Sequence, residues 1–406
     1  MGKADMVRLA MTGAFLAFCS YDIALRGRAC LAAFVEEDNA SAALRVAAVR
    51  NVIEDRFPCR MTFVELNGLF VRLIGQHACN GVLKTVPHGM LVNPSSSVVK
   101  VRKSARRMCR FAGFCRKRGV PFLYVQLPRK LDIGNRMLPA GVVDRSNRNA
   151  DRLLKSAVEA GIKCIDLRAD FAATPDDVSR NFYRTDHHWR NDAAFRAAGR
   201  LAKEIAARCG VSKVDASRAM ELLSPDAWVR EVRRECFLGS LGRRTGALFA
   251  GLDDLVVLRP RFATRMAMDI PSENLSLEGT FDETNMRRAE EALSEARSYT
   301  LDAYSALYVG GIYPQVVHEN PEAPLGVRVL LVGDSFARPV EAFLSVTVRR
   351  LDVVDPRWTA KGFSLAEHVR QTKPDIVIQM LNPSSFHADT MSGEKTGRSV
   401  MFDYGL

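Results

Sequence analysis

Residues 327–336 read VRVLLVGDSF, and this stretch indicates a buried β-strand that ends in a tight turn. A short, nearly continuous run of valine and leucine is typical of a strand covered on both faces of a parallel sheet. Gly333 begins the turn, which presents Ser335 at the end of the strand, where α/β proteins bind ligands. Ser335 is therefore either a nucleophile or a serine that caps the following helix, and the tripeptide alone does not decide.

In the rest of the chain, predicted strands alternate with predicted helices. We predict further strands at residues 122–127, 164–167, 351–354 and 375–381, and a hairpin at 81–92. Helical spacing of apolar residues occurs at 41–74, 98–118, 145–160, 191–209 and 339–346. This alternation predicts an α/β fold with a doubly wound, mostly parallel sheet.

Residues 211–325 have a different pattern, less regular and richer in turns. We interpret them as an irregular insertion that shapes one side of a site, within a single α/β domain of residues 41–406. Inside this insertion, residues 239–246 read GSLGRRTG. They lack the spacing of a phosphate-binding glycine motif, so we interpret them as a plain loop.

Residues 1–40 are set apart from this domain. Lys3 and Arg8 precede a short apolar run at residues 9–20, which has the length of a signal-peptide core. The run is too short to predict a membrane span. It indicates either a signal or anchor segment or a buried N-terminal helix.

Residues 183–189 read YRTDHHW and lie just before the predicted helix at 191–209. Asp186 and His188 are two residues apart on an irregular segment, so both side chains can turn to the same side. Asp186 can then hold the Nδ1–H of His188 and leave Nε2 free to take a proton from a nucleophile. We therefore predict that Ser335, His188 and Asp186 form a catalytic triad.

The neighbours of this pair each allow two roles. By alternation His187 should point away from His188, where it would pack or contact substrate, while Trp189 packs in a core or stacks on a sugar. The same Asp-His-His order occurs in DHH phosphoesterases, where it helps to bind a divalent metal. Only His77 and His88 precede the motif, and neither has an acidic neighbour at ligand spacing. We predict no metal site and no cofactor.

The chain carries a net charge of +12, which suits an anionic partner. The basic helix predicted at residues 98–118 has no interleaved aromatic side chains, so we expect no nucleic-acid partner and interpret its charged face as solvated. Nine cysteines are scattered without a CxxC pair, which argues against a zinc site built on thiolates. Their odd number also argues against a disulfide framework.

These motifs resemble those of the DHHW family, SGNH-hydrolase-like proteins similar to the periplasmic alginate O-acetylation proteins AlgJ and AlgX. The resemblance rests on YRTDHHW at 183–189, GDSF at 333–336, VVDPRW at 353–358 and LPRK at 127–130. Motif order agrees with it. Ordinary SGNH hydrolases have their nucleophile near the N-terminus, whereas here Asp-x-His precedes the serine, as in the alginate-type branch.

The resemblance implies an SGNH-hydrolase-like fold in which the triad transfers acetyl groups to a hydroxyl of an exported or cell-surface polysaccharide. It also implies an extracytoplasmic site, often with a membrane-bound O-acyltransferase that supplies the acetyl group. Two alternatives stay open: an acetyl esterase of the same fold, and a non-catalytic protein that binds polysaccharide.

Three basic residues are candidates for gripping an anionic glycan: Arg129, Lys130 and Arg357. Each is at least as readily interpreted as a surface or ion-pair residue. His187 and Trp189 complete the set of predicted substrate contacts.

Overall fold

The computed structural model describes residues 60–86, 88–360, 362–387 and 400–406 of the 406-residue chain. The predicted signal or anchor segment at 1–40 and the first part of the helical region at 41–74 lie outside these residues. The described part of that helical region is a helix, Arg60–Leu73 (α1), as its apolar spacing predicts.

The described strands include every strand predicted from the sequence. In chain order they are Ala78–Cys79 (β1), Val82–Lys84 (β2), Leu91–Val92 (β3), Phe122–Gln126 (β4), Lys163–Asp166 (β5), Trp228–Phe237 (β6), Asp253–Pro260 (β7), Met266–Ile270 (β8), Leu275–Gly279 (β9), Gln315–Glu319 (β10), Arg328–Gly333 (β11), Arg350–Val354 (β12) and Ile376–Leu381 (β13). The hairpin expected at 81–92 belongs to a small antiparallel sheet, β1-β2-β3.

Helices alternate with these strands through most of the described chain. After α1 they are Val101–Arg116 (α2), Ser146–Glu159 (α3), Arg168–Phe171 (α4), Pro175–Asn181 (α5), Asn191–Arg208 (α6), Lys213–Leu222 (α7), Ser240–Thr245 (α8), Ala247–Ala250 (α9), Phe281–Thr284 (α10), Ala289–Ser294 (α11), Ala303–Leu307 (α12), Ala337–Ser345 (α13) and Leu365–Thr372 (α14). The predicted helices at 98–118, 145–160, 191–209 and 339–346 are confirmed to within a few residues at their ends.

Eight strands form the central sheet, in the spatial order β5-β4-β13-β11-β12-β10-β8-β9. The first five run parallel, and the last three join as an antiparallel edge. β11 lies in the interior of the sheet, between β13 and β12. Its carboxyl end therefore opens at the place where an α/β sheet binds ligands.

Both faces of the parallel strands are covered, which explains their continuous apolar sequence. Leu330 and Val332 of β11 belong to the core under α2, α3 and α14, whereas Val329 and Leu331 belong to the core under α6 and α13. Alternate side chains of one strand thus reach two different cores. The predicted fold class, a doubly wound and mostly parallel α/β sheet, is confirmed.

Residues 211–325 supply elements to two places. β8, β9 and β10 extend the central sheet, while β6 and β7 pair as a separate two-stranded ribbon. The plain loop predicted at 239–246 is wrong, because Ser240–Thr245 is helix α8. Gly242 lets this helix lie close to the segment that carries Thr185, since an added Cβ at Gly242 would lie 3.0 Å from the Cβ of Thr185. The interpretation of 211–325 as an insertion within one domain stays a prediction.

In the part of the chain that the structure describes, no helix is both long and apolar enough to cross a bilayer. The six described cysteines, from Cys79 to Cys236, are free thiols.

Candidate active site

Three side chains meet at the carboxyl end of β11 in one continuous hydrogen-bonded line. The Nε2 of His188 lies 2.7 Å from the Oγ of Ser335, and its Nδ1 lies 2.7 Å from Oδ1 of Asp186. All three residues are buried. Because a carboxylate only accepts, Nδ1 carries the proton and Nε2 is free to accept the Ser335 hydroxyl proton. The structure brings together the three residues that the sequence analysis predicted as a triad.

The turn from Gly333 to Phe336 presents the serine. An added Cβ at Gly333 would lie 2.8 Å from the Cβ of Ala337, so glycine permits the close approach of strand and helix. The carboxylate of Asp334 accepts the N–H of Phe336 at 3.1 Å and, on its other oxygen, the N–H of Asn382 at 2.8 Å. Asp334 thereby ties the turn to the segment that follows β13.

The segment that carries Asp186 and His188 is held by residues far away in the chain. The carboxylate of Asp253, at the start of β7, accepts the N–H groups of Arg184 and Thr185 at 2.8 and 2.6 Å. It also accepts the hydroxyl of Thr185 at 2.6 Å. The ribbon of β6 and β7 therefore fixes the backbone from which the acid and base project.

The second oxygen of Asp186 is bound by the N-terminal end of α8. Oδ2 accepts the N–H of Ser240 at 2.6 Å. Gly239 makes this possible, since an added Cβ there would lie 2.3 Å from the Cβ of Asp186. Burial alone would raise the pKa of Asp186, but the imidazoles of His188 and His187 and the Ser240 N–H hold this pKa well below its usual range. Asp186 is thus kept ionised beside His188.

Lys130 lies beneath this segment. Its Nζ donates to the carbonyl oxygens of Arg184 and Asp186 at 2.6 and 2.7 Å, and the side chain is buried. Burial lowers the pKa of Lys130 to about 7. The structure therefore places the Lys130 amine under the Asp186 backbone, where its contacts position the segment.

His187 lies beside His188, with ring centroids 3.7 Å apart. Its Nδ1 is 2.7 Å from the Oγ of Ser240, and 45% of its side chain is exposed. The expectation that alternation would turn His187 away from His188 is wrong. Residues 183–189 follow a turn rather than an extended strand, closed by a bridge between Phe182 and Trp189.

This geometry agrees with a match to a known family. Residues 88–227 match the family described as ALGX, the SGNH hydrolase-like domain of acetyltransferase AlgX. Over these residues the chain is similar to an SGNH hydrolase-like domain. The match includes Asp186 and His188 and ends before Ser335. The predicted resemblance is confirmed, and no curated protein matches the chain significantly.

Solved structures share the fold of this chain. Bacillus cereus PatB1 superposes with a TM-score of 0.61 at 20% identity, over 80% of this chain and 99% of that one. A second PatB1 structure, with a sulfonyl adduct, gives 0.61 at 19% identity and the same coverage. A DHHW family protein from Eubacterium siraeum gives 0.53 at 16% identity, over 77% of this chain and 93% of its own. At these identities the likeness shows the fold alone.

A cavity of about 370 Å³ opens beside Ser335, His188 and Asp186, since His187 and Phe336 line it. It is lined by Arg129, Lys130, His187, Arg244, Phe336 and Asn382, among others. Arg129 donates to the carbonyl of Asn93, and its Nε lies 3.8 Å from Oδ2 of Asp144. A larger cleft, of about 1030 Å³, lies elsewhere, at the amino ends of β11 and β12. The cavity of 370 Å³ is the candidate substrate site, because its lining residues His187 and Phe336 directly adjoin His188 and Ser335 in the chain.

Two predicted substrate contacts lie outside this cavity. Trp189 is fully buried, donates to the carbonyl of Phe336 at 3.2 Å and packs edge-on against Phe171. This burial fits the prediction that Trp189 packs in a core, and it does not fit stacking on a sugar. Arg357 holds the buried carboxylate of Asp355 with two bonds, at 2.9 and 2.7 Å. Its guanidinium is thus engaged in an ion pair with Asp355.

Sequence reasoning missed several residues that support the site. Tyr304 is fully buried and stacks on the His188 ring, with centroids 4.0 Å apart and planes within 8°. The N–H of Ser240 binds the carboxylate of Asp186, and the carboxylate of Asp253 accepts the N–H of Thr185. No local motif identifies these three residues. The glycines of GSLGRRTG at 239–246, however, are typical of a segment that packs closely against another.

The three residues of the alternative metal site, Asp-His-His, lie close together in the structure. Asp186, His187 and His188 have ligand atoms within 4.8 Å of one another. However, Oδ1 of Asp186 already accepts both the backbone N–H and the Nδ1–H of His188. A cation bound there would have to replace these hydrogen bonds.

Proposed function

We propose that this protein is a serine O-acetyltransferase that acts on an exported or cell-surface polysaccharide through an acyl-serine intermediate. The observation that carries the proposal is the line from Ser335 Oγ through both nitrogens of His188 to Asp186, with 2.7 Å at each step. An ionised carboxylate, an oriented imidazole and a serine at a strand end are the parts that acyl transfer through serine requires.

The first half of the reaction forms the acyl-enzyme. Ser335 Oγ attacks the carbonyl carbon of the donor acetyl ester while His188 Nε2 takes the hydroxyl proton. Asp186 stabilises the imidazolium that results. When the ester bond breaks, the leaving alcohol takes this proton, and the acetyl group remains on Ser335.

The second half runs the same steps in reverse. His188 takes the proton of an acceptor hydroxyl, whose oxygen attacks the acetyl-serine carbonyl, and the proton returns to Ser335 as the new ester leaves. The backbone N–H of Ser335, close to the start of α13, provides a donor for the oxyanion in both halves. Water as the acceptor would make the same site an acetyl esterase.

Partners and location belong to the same proposal. The acceptor is a polysaccharide, the acetyl supplier is a membrane-bound O-acyltransferase, and the site is extracytoplasmic. The matching family, described as that of acetyltransferase AlgX, supports an acetyl-transferring role. A non-catalytic polysaccharide-binding role would not need the Ser335–His188 contact. No cofactor enters the reaction.

Covalent labelling tests the proposal. We expect a fluorophosphonate or sulfonyl fluoride to add once to the intact wild-type chain, as measured by mass spectrometry, and not to Ser335→Ala. The matched control is Ser384→Ala, because Ser384 is an exposed serine of the same cavity and should leave the adduct unchanged. An unlabelled, folded wild type, or an adduct that survives Ser335→Ala, would refute an activated Ser335.

A further inference from the structure

The imidazole of His188 is surrounded by aromatic rings from three places in the chain. Tyr304 of α12 lies nearly parallel to it, with ring centroids 4.0 Å apart and planes within 8°. The ring of Phe336 lies 4.8 Å away at 56°, and the ring of His187 lies 3.7 Å away at 38°. Tyr304, Phe336 and His188 are at most 2% exposed, so the base has little space in which to tilt.

The two hydrogen bonds of His188 do not by themselves fix the plane of its ring. They restrain Nδ1 against Asp186 and Nε2 against Ser335, but χ2 of a histidine is a broad torsion, so the ring can still rotate about the line between its partners. The lone pair of Nε2 lies in the ring plane. A face-to-face neighbour such as Tyr304 therefore keeps this lone pair aimed at the hydroxyl that it has to deprotonate.

The same face-to-face contact acts on the charge that the reaction creates. When His188 takes the Ser335 proton it becomes a cation, and the negative face of an aromatic ring attracts a cation within about 6 Å of its centroid. This charge is absent before the proton moves, so the attraction strengthens toward the transition state and should raise kcat. Burial raises the pKa of Tyr304 well above its usual range, so its ring stays a neutral phenol.

The other groups that face His188 do not replace this contact. Asp186 stabilises the cation through Nδ1, from within the plane of the ring. Burial and the neighbouring His188 lower the pKa of His187 to about 3, so His187 is neutral and adds no charge. Phe336 is inclined at 56° rather than parallel, so Tyr304 is the ring that sets the plane of the base.

α12 is held in place by α8, the helix that also binds Asp186. The guanidinium of Arg243 on α8 lies 3.7 Å from Oδ1 of Asp302, the residue before α12. At the start of the same helix, Ser240 donates its N–H to the carboxylate of Asp186. One short helix thus places the carboxylate beside the base and, through α12, the ring of Tyr304 on its face.

We propose that Tyr304 is a positioning residue of the reaction: its ring holds the plane of the His188 imidazole and stabilises the imidazolium that forms. The assignment rests on the proposed function, because it gives Tyr304 a part in the same proton transfer. A tyrosine that only filled the core would affect the stability of the fold and leave the rate of the folded enzyme unchanged. Because Tyr304 is fully buried and lies outside the lining of the active-site cavity, its role does not include substrate contact.

The rate at which a fluorophosphonate labels the full-length chain, followed by intact mass, tests the assignment without the natural donor. Tyr304→Leu removes the aromatic face and should lower the maximal labelling rate about tenfold, with the half-saturating probe concentration unchanged. Tyr304→Met, a second variant without a ring, should give the same result. Tyr304→Phe keeps the face and should label within about twofold of the wild type.

The matched control is Tyr308→Leu. Tyr308 is equally buried and directly follows α12, but it packs edge-on against Phe343. We expect this variant to label as the wild type does, when rates are compared per folded molecule as measured by circular dichroism.

The outcomes separate this assignment from the proposed function. A folded wild type that is not labelled at Ser335 would contradict the proposed function itself. A labelled wild type, with variants lacking the Tyr304 ring that react as fast, would overturn the role of Tyr304 alone. So would equal losses in Tyr304→Leu and Tyr308→Leu, which would make packing responsible, or equal losses in Tyr304→Phe and Tyr304→Leu, which would assign the effect to the hydroxyl. A change confined to the half-saturating concentration would make Tyr304 a substrate contact and would also overturn the proposal.

Discussion

The turn that presents Ser335 and the segment that presents Asp186 and His188 are built in opposite ways. The turn at Gly333–Phe336 is set mainly by the strand before it and the helix after it, which are adjacent in sequence, and Asp334 adds a bond to Asn382. The segment at 183–189 is set by Asp253, Ser240 and Lys130, which are 54 to 68 residues away in the chain. The nucleophile is thus placed mainly by adjacent elements, whereas the base and its carboxylate depend on contacts with distant segments.

This difference predicts where substitutions matter most. Around Ser335, the strand and turn should tolerate changes in α8. Around Asp186, a change in α8 or at Lys130 should lower kcat, although neither contacts the reacting carbonyl of the substrate. The three substitutions below test this contrast in order of decreasing effect.

Asp186→Asn should have the largest effect. An amide in place of the carboxylate no longer stabilises the imidazolium and favours the wrong tautomer of His188, so we expect kcat for hydrolysis of an aryl acetate to fall about 10³- to 10⁴-fold. Circular dichroism should show an unchanged fold. A fall of less than tenfold would mean that Asp186 does not orient the base.

Gly239→Ala should come next. The new Cβ would lie 2.3 Å from the Cβ of Asp186 and 2.5 Å from its Cα, so the backbone of one of the two segments has to move. A displacement of this kind should cost roughly 10²-fold in kcat. Gly113→Ala on α2 is the control, because its added Cβ would meet nothing within 4 Å. Equal activity in the two variants would contradict the role of α8.

Lys130→Met should change stability and its pH dependence more than the chemistry. The folded pKa of Lys130 is about 7, below its ordinary 10.5, so the unfolded chain binds more protons between these values. The wild type should therefore gain stability as pH rises from about 7 to about 10, and Lys130→Met should lack this gain. Calorimetric unfolding at several pH values measures it, and a constant difference between the two chains would contradict it.

The sequence predicted the parallel half of the sheet because its strands are continuous apolar runs separated by amphipathic helices. It predicted Ser335, His188 and Asp186 as partners because the chemistry of the three residue types is complementary and the motif order was recognisable. The distances between these three side chains could be learned only from the structure.

Other features of the site depend on contacts that no local pattern encodes. The N–H of Ser240 on Asp186 and the carboxylate of Asp253 under Thr185 join residues far apart in the chain. The stacking of Tyr304 on His188 depends on how α12 packs. His187 was misplaced because alternation applies to extended strands, and this segment is a turn.

The acyl-serine intermediate is the central claim, and rapid-quench peptide mass spectrometry tests it most directly. With an aryl acetate donor and no acceptor, we predict an acetyl group on Ser335 that disappears when an acceptor glycan is added. Acetate released at the full rate while Ser335 stays unmodified, or an acetyl group found on another residue in its place, would contradict the account.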